Sequence, residues 1–148
     1  MRLVLLIACL ATAGSAQVKV TLPKNHFRVR EEIPAKIENH THHDIAFCVE
    51  YGQWSPAGKE VKSTPLPFAI QRQSDTEWQS LMMGPDIGSK RLPLKLESGK
   101  SVEFPFRLNE AGTLRLRLDY WKASAEDVDC PHPETGKRTT WSRPFLQD

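Results

Sequence analysis

Apolar and polar residues alternate at period two over much of this chain. Val18, Val20 and Leu22 alternate with Lys19 and Thr21, and Phe27 and Val29 alternate with Arg28 and Arg30. Ile33, Ala35 and Ile37 alternate with Pro34, Lys36 and Glu38, and Ile45, Phe47, Val49 and Tyr51 alternate with Ala46, Cys48 and Glu50. The pattern returns at Phe68 and Ile70, then at Trp78 and Leu81 after a Ser74-Asp75 turn. It returns again at Leu92, Leu94 and Leu96, at Val102, Phe104, Phe106 and Leu108, and at Leu114, Leu116, Leu118 and Tyr120. A last strand is expected through Trp141 to Phe145. Alternation at this period is the signature of half-buried strands, and no sustained helical period accompanies it. Turn signals stand between the runs, notably Glu97-Ser98-Gly99-Lys100 and Ala111-Gly112. About seven to nine short strands with one apolar face each predict an all-β, antiparallel, Greek-key sandwich. Pro105, inside a strand run, predicts an edge position or a bulge.

The first sixteen residues, MRLVLLIACLATAGSA, break the alternation. One early cation, Arg2, precedes an apolar run from Leu3 to Ala13, and small residues follow at 14–16. This is the pattern of a secretory signal peptide, and the run is short for a bilayer span. Residues 1–16 are therefore read as a signal peptide and 17–148 as one domain. Leu6-Ile7-Ala8-Cys9 also fits a bacterial lipobox, which would make a lipid anchor at Cys9 the alternative form of the mature N-terminus. Either reading places the protein outside the cytoplasm, secreted or periplasmic.

With Cys9 set aside, two cysteines remain, Cys48 and Cys130, and an even pair in an exported chain reads as a disulfide. The chain has 148 residues and a formal net charge of +2, which gives no reason to expect nucleic acid or an anionic membrane as partner.

The order of signals resembles an immunoglobulin-like or fibronectin-III-like domain of bacterial exported proteins. Arg30-Glu31-Glu32-Ile33 with Ile37-Glu38-Asn39 corresponds to the second strand of such domains, and Asp44-Ile45-Ala46-Phe47 to the third. Leu96 to Ser101 is similar to the turn before the fifth strand, and Glu110 to Leu116 opens the sixth. The chain departs from the pattern at Leu114, where a tyrosine is common, and in its cysteines, which do not sit on the second and sixth strands. The resemblance implies that the third and sixth strands are neighbours in one sheet. Alternation then points Cys48 outward, together with Arg115, Arg117, Asp119 and Trp121. The long polar segment from Lys122 to Arg138 is expected to fold back over that outer face, stapled through Cys130 to Cys48 and covering Trp121.

Candidate chemistry is sparse. In Glu38-Asn39-His40-Thr41-His42-His43-Asp44, three histidines and an aspartate fall within five residues. His40, His42, His43 and Asp44 are the candidate metal ligands, for a Zn or Cu ion, since imidazole and carboxylate donors suit such ions. The other reading is an exposed polar turn, because adjacent side chains diverge unless the backbone curls round the ion. Asn39-His40-Thr41 is also a glycosylation sequon, expected in an exposed turn and relevant only in a eukaryotic secretory host. Met82-Met83 could add soft donors, although loop packing is their plainer role.

Four tryptophans, Trp54, Trp78, Trp121 and Trp141, could be core or sheet packing, or exposed platforms for sugar rings. Trp54 and Trp121 are the ligand-contact candidates. No G-x-S-x-G, H-E-x-x-H or phosphate-binding glycine loop occurs. The sequence therefore points to a non-catalytic binding module with no cofactor, whose partner is a protein or a glycan. A small protease inhibitor presenting the Ser55–Leu66 or Met82–Arg91 loop and a metal-binding periplasmic protein are the alternatives.

Overall fold

A computed structural model describes residues 17–51, 53–54, 60–61, 66–81, 90–123, 130 and 135–148. The signal segment, Cys9, Met82, Met83 and His132 lie outside them, as do most of both candidate inhibitory loops.

Thirteen strands form among the described residues: β1 (Val18–Thr21), β2 (His26–Phe27), β3 (Glu32–Asn39), β4 (Ile45–Tyr51), β5 (Gln53–Trp54), β6 (Glu60–Val61), β7 (Ala69–Ser74), β8 (Glu77–Ser80), β9 (Lys90–Leu96), β10 (Ser101–Arg107), β11 (Gly112–Lys122), β12 (Arg138–Trp141) and β13 (Phe145–Gln147). The count exceeds the expected seven to nine because two-residue pieces and a divided last strand carry too little alternation to register in the sequence.

One sheet has the order β1-β3-β10 and the other β2-β13-β11-β4-β9. The β7–β8 hairpin and β12 also join β11. The chain crosses between sheets from β3 to β4 and again from β9 to β10. All pairings within and beside these sheets are antiparallel except β2 with β13. The expected β-sandwich is therefore present.

The period-two residues of both sheets meet in one core. Ile33, Ala35 and Ile37 of β3, with Phe104 and Phe106 of β10, face Ile45, Phe47 and Val49 of β4 and Leu114, Leu116 and Leu118 of β11. Aromatic rings join the sheets edge to face, Phe47 to Phe104 with centroids 6.0 Å apart and Phe68 to Phe104 at 6.2 Å. Each fully buried Leu, Ile or Phe contributes about 1.5–3 kcal/mol.

Pro105 sits on β10, which among the described residues pairs only with β3 and is an edge strand, as expected. It stands opposite Pro34. Neither proline has an N–H, so this pair can occupy only a non-hydrogen-bonded position of the ladder. The missing donor of Pro34 then points toward β1, whose pairing stops at Thr21 opposite Lys36.

Three local expectations are corrected. Val29 is 36% exposed rather than inward-facing. After β2 the chain turns, with the Arg28 N–H donating to the Glu31 carboxylate at 2.8 Å and Arg30 at φ 67°. Leu92 is 41% exposed, while Leu96 on the same strand is buried, so β9 runs off the edge of the core. The last strand is divided at Ser142–Pro144. There the Ser142 hydroxyl accepts the Leu116 N–H at 2.9 Å, taking the place of a strand carbonyl, and Pro144 has no N–H to offer.

Candidate functional site

The histidine-rich turn connects β3 to β4, and Asn39 organises it. Asn39 is 1% exposed. Its Nδ2 lies 3.0 Å from the His43 carbonyl, 3.1 Å from that of Leu96 and 3.2 Å from that of Glu97. Two N–H protons are thus shared among three carbonyls. Its Oδ1 accepts the Thr41 N–H at 3.1 Å, closing a local side-chain turn, and lies 2.6 Å from Thr41 Oγ1. The expected exposed sequon is corrected here: its asparagine is buried, with its nitrogen committed to the fold.

The β9–β10 turn docks on the same residue. The Gly99 N–H donates to the Asn39 carbonyl at 2.8 Å, and Ser98 Oγ donates to the Thr41 carbonyl at 2.6 Å. Gly99 has φ 74°, the left-handed region that favours glycine.

The four candidate metal ligands do not converge on one point. The His40 and His42 side chains are exposed, and His40 Nε2 lies 3.5 Å from a Glu38 carboxylate oxygen. His43 contributes its backbone carbonyl to the turn. The Asp44 carboxylate takes the Lys95 ammonium at 2.9 Å and the Ser98 N–H at 3.0 Å. The lysine, then the Ser98 N–H, hold the Asp44 carboxyl below the usual carboxylate range. Among the described residues no group of three or more His, Cys, Asp or Glu side chains is placed to hold a metal ion.

Cys48 and Cys130 are joined, with their Cα atoms 5.9 Å apart. Cys48 lies on β4 with its neighbours in alternation, Phe47 and Val49, in the core. Trp121 and Ala46 stand opposite each other on β11 and β4. By alternation both belong to the outer face, beside Cys48, yet both are buried, Trp121 at 7% exposed. Trp121 is therefore corrected from a contact platform to a packed residue. Trp54 is placed by its backbone in β5, and its side chain lies outside the described residues.

The exposed aromatic surface is elsewhere on that sheet. Arg115 of β11 lies with its guanidinium carbon 4.2 Å from the Trp78 ring centroid and 5.5 Å from that of Trp141. Its Nε donates to Gln71 Oε1 at 2.8 Å, across the β7–β11 pair. Trp141 is 47% exposed, the most open large apolar side chain among the described residues. Next along the face, Arg117 grips Asp119 through two bonds of 3.1 Å, and the Thr139 hydroxyl donates to the same carboxylate at 2.7 Å.

Sequence alternation had already turned Arg115, Arg117 and Asp119 outward, but it did not bring Trp78 or Trp141 to them. One uninterrupted strand from Trp141 to Phe145 would put both rings on one face. The break at Ser142–Pro144 sends Phe145 into the core and Trp141 out.

No protein-family profile matches the chain, and no curated protein matches it. Among solved structures it is similar to the ASH / PapD-like domain of human CEP192 (PapD-like domain 7). The identity is 16%, the match covers 100% of this chain and 95% of that one, and the TM-score is 0.31.

Proposed function

We propose that this protein is an exported, non-catalytic immunoglobulin-like binding module that makes its contact through the outer face of β8, β7, β11 and β12. The observation that carries this reading is the cluster of Trp78, Arg115 and Trp141, which holds a large aromatic ring at the surface. An exposed tryptophan beside an arginine is the composition of a binding hot spot, desolvated once a partner covers it. Export is supported by the apolar leader ending at Ala16 and by the Cys48–Cys130 disulfide, a bond that persists in oxidising compartments. No helix among the described residues is long and apolar enough to cross a membrane.

The test is partner capture by purified 17–148 from the extracytoplasmic fraction of its host. Wild type, Trp141→Ala and a variant on the opposite sheet, Glu103→Ala, are compared. Capture lost only in Trp141→Ala supports the surface. Capture that survives Trp141→Ala and fails in Glu103→Ala places the contact on the other sheet.

A further inference from the structure

The half-buried cations of this fold differ in one respect. Lys36 has Glu38 at 2.7 Å and Arg117 has Asp119 at 3.1 Å. Arg115 has no carboxylate partner among the described residues, and only its Nε is hydrogen-bonded, to Gln71. Its two Nη groups have no protein acceptor there. Burial works against its charge and lowers its pKa from the usual arginine value. A guanidinium that lies against two indoles, with no anion beside it among the described residues, leaves its Nη hydrogens open to a bound carboxylate.

The surroundings narrow the kind of carboxylate. Trp141 is 47% exposed, and apolar C–H faces of a sugar ring pack on exposed indoles. Trp141 stands opposite Arg117, and Thr139 stands opposite Asp119, two residues further along the ladder. That displacement is about 7 Å, close to the reach of a single pyranose. The Arg117–Asp119–Thr139 group is held by its own bonds and offers fixed donors and acceptors to hydroxyls. A single guanidinium beside the two indoles suits one carboxylate per ring better than a polyphosphate.

We propose that this face binds an acidic carbohydrate, a uronic-acid-type pyranose whose ring stacks on Trp141 and whose carboxylate is held by the Nη groups of Arg115. This proposal rests on the binding surface argued above and names its ligand class.

The test is tryptophan fluorescence titration of purified 17–148 with oligogalacturonate, alginate fragments and hyaluronan fragments. Methyl-esterified oligogalacturonate, which keeps the rings and loses the charge, serves as the paired control. At least one acidic probe is expected to change the emission saturably and to bind more weakly as salt is raised. Its ester is expected to bind about tenfold more weakly or not at all. Trp141→Ala should lose about tenfold in affinity, and Arg115→Lys, which keeps the charge but not the planar fork, should lose a similar factor with its melting temperature retained.

No response to any acidic probe, equal binding of the ester, binding unchanged in Trp141→Ala, or tighter binding of polyglutamate would overturn the assignment. If the sugars fail while Trp141→Ala still abolishes partner capture, the surface stands and the ligand class falls. If capture also ignores Trp141, the surface itself is wrong.

Discussion

The backbone N–H of Ser98 donates to the carboxylate of Asp44 at 3.0 Å, joining the β9–β10 turn to the end of the histidine turn. Lys95 closes the other side of that carboxylate at 2.9 Å. Two connections that cross between the sheets are thereby fastened to each other at one end of the sandwich.

The acid stability of the fold should report this junction. Asp44 has its carboxyl held below the usual range, first by Lys95 and then by the Ser98 N–H. A depressed folded-state pKa stabilises the native state above the unfolded value. That contribution is lost as pH falls from the ordinary carboxylate range through the folded pKa. Asp44→Asn should therefore lower the melting temperature modestly at neutral pH and flatten the acid limb, the two profiles converging below about pH 4. An acid limb of unchanged steepness in the variant would show that other carboxylates govern it.

Asn39 holds the same junction more strongly than Asp44 does. Removing its amide leaves the carbonyls of His43, Leu96 and Glu97 short of donors in a buried setting. Asn39→Ala should lower stability by about 2–4 kcal/mol in urea melts. Asn39→Asp should do no better, since it places a carboxylate against three carbonyls. In a glycosylating host the folded fraction should carry no glycan at Asn39 by intact mass, because the nitrogen that would be modified is enclosed.

The Cys48–Cys130 bond spans 82 residues of chain. Loop-closure entropy gives it at most about 4.5 kcal/mol. Its local effect should be read at Trp121, which lies on the same face and is buried. Double replacement by serine should lower the melting temperature and make one further tryptophan accessible to acrylamide quenching. Unchanged quenching would mean that the burial of Trp121 is independent of the staple.

Much of this fold was legible because alternation is a direct record of which face each residue shows. Ile33, Ala35 and Ile37 and the leucines of β11 read as they fold, and Cys48 and Arg115 read as outward. What failed to read was the set of places where the backbone leaves regular pairing. The turn at Arg28–Glu31 frees Val29, and the break at Ser142–Pro144 reverses the face of Trp141. Neither leaves a mark in a period-two pattern, because a hydroxyl standing in for a carbonyl has no composition signal. The candidate site suffered for the same reason: its arginine was visible from alternation, while both tryptophans that flank it depend on pairings distant in sequence. Asn39 was misread from the sequon, whose chemistry concerns an exposed asparagine, when the same residue types can also build a buried turn.

The histidine turn remains the sharpest test of the remaining chemistry. A metal at His40, His42, His43 and Asp44 would need Asp44 to give up both Lys95 and Ser98, and would need adjacent imidazoles to swing onto one point. The backbone between them is already fixed by Asn39 and Thr41. Zn(II), Cu(II) and Ni(II) added to untagged protein should therefore leave the melting temperature unchanged, in wild type and in the His40/His42/His43 triple-alanine variant alike. Binding to the native state alone must raise that temperature in proportion to the logarithm of ligand concentration over Kd. A rise of several degrees in wild type that the triple variant lacks would mean that the turn opens to a ligand geometry, with Asp44 released from Ser98. Chemical-shift changes at the Ser98 amide would follow the same titration and identify that release.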